Sequence, residues 1–195
     1  MGKVIFDMSM SLDGFIAGPN DSPQEPAGEG GQRLQEWFAE VDTAYADFLQ
    51  RSAASCGAVV MGRRTYDFSA TGGWWGDAGP LGPTPCFVLS HHPPAQIHAP
   101  QVFTFVSEGI HAALAKAQAV AGEKAIGLMG ANVQQQFLNA GLVDEFHINI
   151  VPVLLGMGTR LFEKLDVAQI ALEQIHAIPS PGVAHIAYRV IKPAR

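Results

Sequence analysis

An α/β fold with a mainly parallel sheet, helices on both faces and an antiparallel hairpin at its end is what this sequence predicts. Three observations carry that reading. Short apolar runs alternate along the chain with stretches of three-to-four-residue apolar spacing, the pattern of strands joined through helices. Several strand-like runs end in glycine or small polar residues and lead into a helical pattern, as at residues 59–68, VVMGRRTYDF. The last part, AQIALEQIHAI and GVAHIAYRVIK around PSPG, alternates with period two about a turn.

Taken in order, residues 3–10 form a first strand. Val4, Phe6, Met8 and Met10 share one face and Asp7 and Ser9 the other. The glycines and prolines from Ser11 to Gly31 break the chain into a loop. Leu34, Trp37, Phe38, Val41, Tyr45, Phe48 and Leu49 recur at helical spacing and predict one amphipathic helix over 33–52. GAVVMG is a short buried strand, the Gly- and Pro-rich stretch 71–85 is a loop, and CFVLS and QVFTFV are further strands. Ile110, Ala113, Leu114, Ala117 and Val120 mark a second long helix, and KAIGLMG another strand. Residues 134–140 predict a short helix closed by Gly141 in the left-handed conformation. VDEFHINIVPVLL predicts a long strand, with Pro152 indicating an edge position or a bulge. Its apolar residues on both faces suggest that one face meets a second subunit, hence a homodimer.

The length of 195 residues suits one domain with a substantial core. A net charge of −6 argues against non-specific nucleic-acid binding, so an anion would have to be held by a local group of donors. Cys56 and Cys86 lie in apolar contexts without metal or CxxC spacing and are expected as small buried hydrophobes. The start has no signal-peptide plan and no apolar run is long enough to cross a membrane, which predicts a cytosolic protein.

Three strand ends carry residues suited to a phosphate-bearing ligand. At Gly62–Thr65 a strand gives way to a helix, whose N-terminus favours an anion. Gly62 permits close approach, Arg63 and Arg64 can fork onto phosphate oxygens, and Thr65 can donate its hydroxyl. Solvated arginines and a capping threonine are the plainer alternative. At Ser90–His92 a buried strand ends in small donors. Ser90 could bond a phosphate or ribose, and His91 and His92 point to opposite faces, which argues against a metal site. At Met129–Val133 the plan recurs: Gly130 and Ala131 form the turn, and Asn132 and Val133 lead into a helix. Together the three suggest a dinucleotide lying across the sheet edge, without the GxGxxG fingerprint. GMGTR at 156–160 reads as a turn.

These pieces resemble the dihydrofolate reductase-like superfamily, in its branch related to the C-terminal reductase domain of RibD from riboflavin biosynthesis. SLDGFIAG at 11–18, VVMGRRTYDF, FVLS at 87–90, LMGANVQQQFL at 128–138 and GLVDEFHINIVPVLLGMGTRLF at 141–162 carry the likeness. The resemblance implies a three-layer fold with a mixed, mostly parallel sheet of about eight strands, and an NADPH-dependent reductase acting on a small planar or carbonyl-type substrate. It places Arg63 at the 2′-phosphate, Thr65 at the pyrophosphate, Ser90 beside the 2′-phosphate and Gly130–Val133 beneath the diphosphate and nicotinamide, with His91 and Met129 expected in the same cofactor site. Two departures stand out. Met129–Gly130–Ala131 replaces a glycine-rich turn, and Glu36, Glu40, Asp42 and Asp47 do not sit in the acidic motif of folate reducers. Asp13 is the acid expected to face the substrate, with a turn-forming Asp-Gly pair as its alternative. Trp74 and Trp75 could wall a planar substrate or pack at a subunit contact. A nucleotide- or flavin-binding protein without turnover is the competing reading.

Overall fold

β1 (Val4–Ser11) alternates as its sequence requires, and this parity organises the whole molecule. The computed structural model describes residues 2–39, 43–72, 75–76, 78–166 and 169–192. Val4 and Phe6 enter the main core, with Met8 and Met10 packed against it, while Asp7 and Ser9 turn to the opposite face. β3 (Cys56–Gly62), β4 (Cys86–Leu89), β5 (Phe103–Val106), β6 (Ala125–Met129), β7 (Glu145–Val151), β9 (Leu172–Ser180) and β10 (Val183–Val190) complete an eight-stranded sheet. Its order is β5-β4-β3-β6-β1-β7-β10-β9. The first six of these neighbours are parallel, and β10 runs antiparallel to both β7 and β9. The architecture is the expected mostly parallel sheet of eight strands, with the C-terminal antiparallel hairpin where its alternation placed it.

Helices cover both faces. α3 (Ile110–Ala121) and α4 (Ala131–Asn139) bury Ala113, Ala117, Val133 and Phe137 against Ala58, Val60, Ile126 and Leu128 in the main core. The opposite face is covered in two places. α2 (Arg63–Gly72) contributes Tyr66 to a second core with Val59, Met61, Cys86, Val88 and Phe103. A third core collects Leu34, Trp37, Tyr45, Val151 and Val183. Cys56 and Cys86 are buried free thiols, and burial pushes both pKa values up, that of Cys86 to about 12.

Several expectations need correcting. The apolar period over 33–52 belongs to separate pieces: 3-10 turns at Gly31–Leu34 and Glu36–Ala39, and α1 (Thr43–Ser55). All three pieces face one small core, to which they give Leu34, Trp37 and Tyr45, which is why the apolar period runs on through them; Val41, Glu40 and Asp42 lie outside the described residues. The helix expected over 134–140 begins at Ala131, directly after the strand. The strand expected over 143–155 ends at Val151, and Pro152 follows it. β7 is an inner strand between β1 and β10, so Pro152 marks neither an edge nor a bulge within it. Both faces of β7 are packed within this chain in part. Phe146 and Ile148 are inside the main core, and Asn149 and Val151 lie buried under Tyr45 and Trp37.

GMGTR is a turn only in part. Thr159–Arg160 forms β8, which pairs with β2 (Phe15–Ala17) in a small antiparallel ribbon. Gly158 has φ +132, and a Cβ there would lie 2.0 Å from the Ala17 carbonyl oxygen, so this turn admits no side chain.

Candidate functional site

Because β4, β3 and β6 are parallel neighbours, their C-terminal ends fall on one sheet edge, the usual place for ligands in such sheets. Each end carries a different connection. β3 runs straight into α2 and β6 turns through Gly130 into α4, so two helix N-termini open side by side. Gly130 holds φ +89, and a Cβ on it would stand 2.6 Å from Thr65 Oγ1. The two junctions therefore pack edge to edge, with their backbone N–H groups and positive dipole ends directed at the same space.

That space is a cleft of about 930 Å³. It brings together Gly62, Arg63, Arg64, Thr65, Ser90, His91, Met129, Gly130, Ala131, Asn132, Val133 and Trp75. Sequence reasoning missed the opposite wall, made by Ile16 and Ala17 of β2, Thr159 of β8, Asp21 and Pro26. Phe68, Leu89 and Val106 extend the apolar lining. The regular strand alternation around FIA is too short to have revealed β2.

The two adjacent arginines part company. Arg63 Nε donates to Asp67 Oδ1 at 2.7 Å, one helical turn on, and its Nη1 donates to the His92 carbonyl. It thus bridges α2 to the turn after β4. Arg64 reaches the loop after β2, donating to Asp21 Oδ2 at 3.0 Å from Nε and to Oδ1 at 2.5 Å from Nη2. It also stacks over Phe68 at 4.6 Å. Arg64 is a tie between α2 and the loop, and Arg63 is the cation beside the Ser90–His92 turn. Within that turn the Ser90 hydroxyl donates to the His92 carbonyl and accepts from its N–H, at 3.1 and 3.2 Å. His91 is exposed at the rim.

A Cβ on Gly62 would meet Val133 Cγ2 at 3.5 Å, an ordinary contact, so its lack of a side chain leaves room in the cleft rather than relieving a clash. Trp75 lines the cleft and stacks on Phe103 with ring centroids 6.1 Å apart. Trp74 lies outside the described residues.

Asp13 is not among the cleft-lining residues. Its carboxylate accepts from Ser11 Oγ at 2.6 Å, from the Leu155 N–H at 3.1 Å and from the Gly156 N–H at 2.7 Å. The Ser11 hydroxyl first, then those backbone donors, hold its pKa below the ordinary carboxylate value. An acid so held stays ionised at neutral pH and clamps the 153–156 segment. A group with a depressed folded pKa stabilises above its unfolded value, and the benefit fades as pH falls through the folded one. Asp13→Ala is expected to speed hydrogen exchange at the Leu155 and Gly156 amides at neutral pH, and the difference from the parent should shrink in acid. Glu36 pairs with Arg33 at 3.4 Å on the surface, and Asp47 is exposed.

A model of the RibD C-terminal domain matches residues 2–183. The chain belongs to the RibD C-terminal domain family. The Bacillus subtilis protein YwjB is 29% identical over 163 residues, covering 84% of each chain. Among solved structures, a pyrimidine reductase-like protein of Corynebacterium diphtheriae superposes with TM-score 0.65 at 17% identity, covering 98% of this chain and 92% of that one. The dihydrofolate reductase of Enterococcus faecalis, solved with NADP(H), gives TM-score 0.61 at 16% identity, with 98% of each chain covered. At these identities the two structures establish the common fold. Among the described residues of this RibD-type chain, no group of three or more metal-ligating side chains occurs, and no helix is long and apolar enough to cross a membrane.

Proposed function

We propose that this RibD-type domain is an NADPH-dependent reductase of a small planar nitrogen heterocycle or carbonyl compound. The observation that carries it is the double helix-N-terminus cradle at Thr65 and Gly130, with the Arg63 guanidinium and the Ser90 turn at its open end. The residues fit a phosphate-rich dinucleotide. The cradle supplies backbone N–H donors for a diphosphate, Thr65 adds a hydroxyl, and Arg63 is a fixed charge for a further phosphate. The cleft volume lies in the range that holds ligands of this size. The apolar stretch of Met129, Val133 and Ile16 would keep water from a flat ring. When bound, the nicotinamide would supply hydride. The chain's own residues would bind, orient and exclude solvent.

The test is loss of reduced-nicotinamide absorbance in the presence of aminopyrimidines, pterins, flavin precursors and quinones. Turnover with any of them supports a reductase. Tight NADPH binding with no turnover across the panel favours instead a nucleotide-binding protein on the same scaffold, and parallel titration with FMN tests the flavin variant.

The divergence of the two arginines yields a sharper prediction. Arg64→Ala should weaken NADPH and NADH alike, by no more than a few-fold, because its exposed ion pair with Asp21 shapes the loop. Dissociation constants for both cofactors check this. A loss confined to NADPH would make Arg64, and not Arg63, the phosphate contact.

A further inference from the structure

The main core covers only part of its own face of the sheet. α3 and α4 rest on β4, β3 and β6. The segment after β8 adds Leu161 to that core and lays Phe162 near Phe146, with ring centroids 5.9 Å apart. Toward the C-terminal hairpin the cover thins out. Register shows which residues share this face. Two rungs cross four strands, Met8–Ile148–Ile186–Ala177 and Met10–Ile150–Ala184–Pro179. Ile148 is buried, Ile150, Ile186 and Ala184 are half-buried, and Ala177 and Pro179 are exposed. Among the described residues, neither Ile186 nor Ala184 joins any of the three cores. Leu172, 44% exposed, extends the strip along β9 beside Val190. At the strand ends the Leu12 N–H donates to the Val153 carbonyl at 2.9 Å, and the two turns so joined carry the exposed Leu12 and Leu154. A monomer rarely leaves a continuous apolar strip of this kind.

Charge and size select what covers it. No residue that β7, β10 and β9 turn to this side is charged, whereas Arg189 and Glu173 pair at 2.7 Å on the other side of the hairpin. A face without cations offers nothing to nucleic acid or to an anionic lipid surface. A face without charge of either sign can meet a copy of itself with no like-charge pair. Four strands about 4.8 Å apart, over eight residues of about 3.3 Å rise, span a flat area of roughly 500 Å². Side-chain relief and the flanking Leu12, Leu154 and Phe162 bring this toward the roughly 800 Å² per partner of a standard interface. The edge of β9 is a poorer contact, because Pro179 and a bulge at Ile175 both blunt it.

We propose that this strip is a subunit interface, covered by a second copy of the same chain packed sheet on sheet about a two-fold axis. The net charge of −6 sets its salt response. Two like-charged copies repel at long range, so screening tightens the dimer. The interface stands independently of any cofactor.

Sedimentation equilibrium of the wild-type chain should give a species of twice 20.8 kDa, tighter at high ionic strength than at low. Ala177→Glu, on the exposed strand, should weaken dimerisation at least about a hundredfold, because an unpaired carboxylate is then buried in the contact. Ile186→Glu should do the same from β10. Ile178→Glu, on the opposite face of β9, should leave the mass unchanged. A wild-type chain that stays monomeric at every concentration and salt overturns the proposal. So does a dimer that survives Ala177→Glu and Ile186→Glu in variants with native circular dichroism. Equal losses from Ala177→Glu and Ile178→Glu would put the contact on the β9 edge, and loosening by salt would mean that charge holds it; either result contradicts the uncharged face. A monomer that floats with phosphatidylcholine vesicles, and ceases to with Ala177→Glu, would assign the strip to lipid instead.

Discussion

Phe137→Ala is expected to destabilise the protein by about 3–5 kcal/mol, the largest effect of any single change considered. Phe137 has no exposed surface and lies at the centre of the main core, among the side chains of β1, β6 and β7. Truncation removes its transfer free energy and leaves a cavity that the surrounding strands cannot close. The consequence reaches the site, because Phe137 anchors α4, and α4 begins at the Gly130 turn. Urea unfolding should show a lower midpoint with an unchanged slope. NADPH should recover part of the lost stability, by an amount that grows with the logarithm of its concentration above the dissociation constant. A loss below about 1 kcal/mol would mean that α4 is not seated as described.

Arg63→Ala should raise the NADPH dissociation constant roughly tenfold to hundredfold, equivalent to about 1.5–3 kcal/mol for one charge-assisted contact. The side chain is 36% exposed, so the lower end is expected. NADH, which lacks the extra phosphate, should weaken by no more than a few-fold. The substitution also unpairs Asp67 from its guanidinium, leaving a carboxylate near the phosphate position. Asp67→Asn in the Arg63→Ala background should restore part of the NADPH affinity and none of the selectivity. Isothermal titration with both cofactors separates these outcomes, and equal losses for NADPH and NADH would remove Arg63 from the phosphate.

Local pattern made much of this legible. The alternation of Val4, Phe6, Met8 and Met10 fixed which face of β1 meets the core, and apolar runs ending in glycine or serine marked the strand ends that gather at the cleft. Both are consequences of side-chain period and turn chemistry within a few residues. What stayed hidden depends on chain segments far apart. Asp13 reads in sequence as an acid facing the substrate or as half of a turn-forming Asp-Gly pair, and the Leu155 and Gly156 amides that hold it come from a distant part of the chain. Residue type alone does not separate Arg63 from Arg64, yet neighbours on a helix point about 100° apart, so one meets Asp67 and the other Asp21. Alternation placed Asp7 opposite the main core. It could not show that β1 is an inner strand or that Asn149, Tyr45 and His185 stand behind the carboxylate. The helical period over 33–52 hid a break, because 3-10 turns and an α-helix can present their apolar residues to one shared core.

The most direct measurement of the central claim is a crystal structure of the protein soaked with NADPH. The account predicts a dinucleotide across the ends of β4, β3 and β6, its diphosphate against the Thr65 and Gly130 turns and its 2′-phosphate on the Arg63 guanidinium beside Ser90. A nucleotide bound elsewhere, with Arg63 still engaged by Asp67 and the His92 carbonyl, would contradict it.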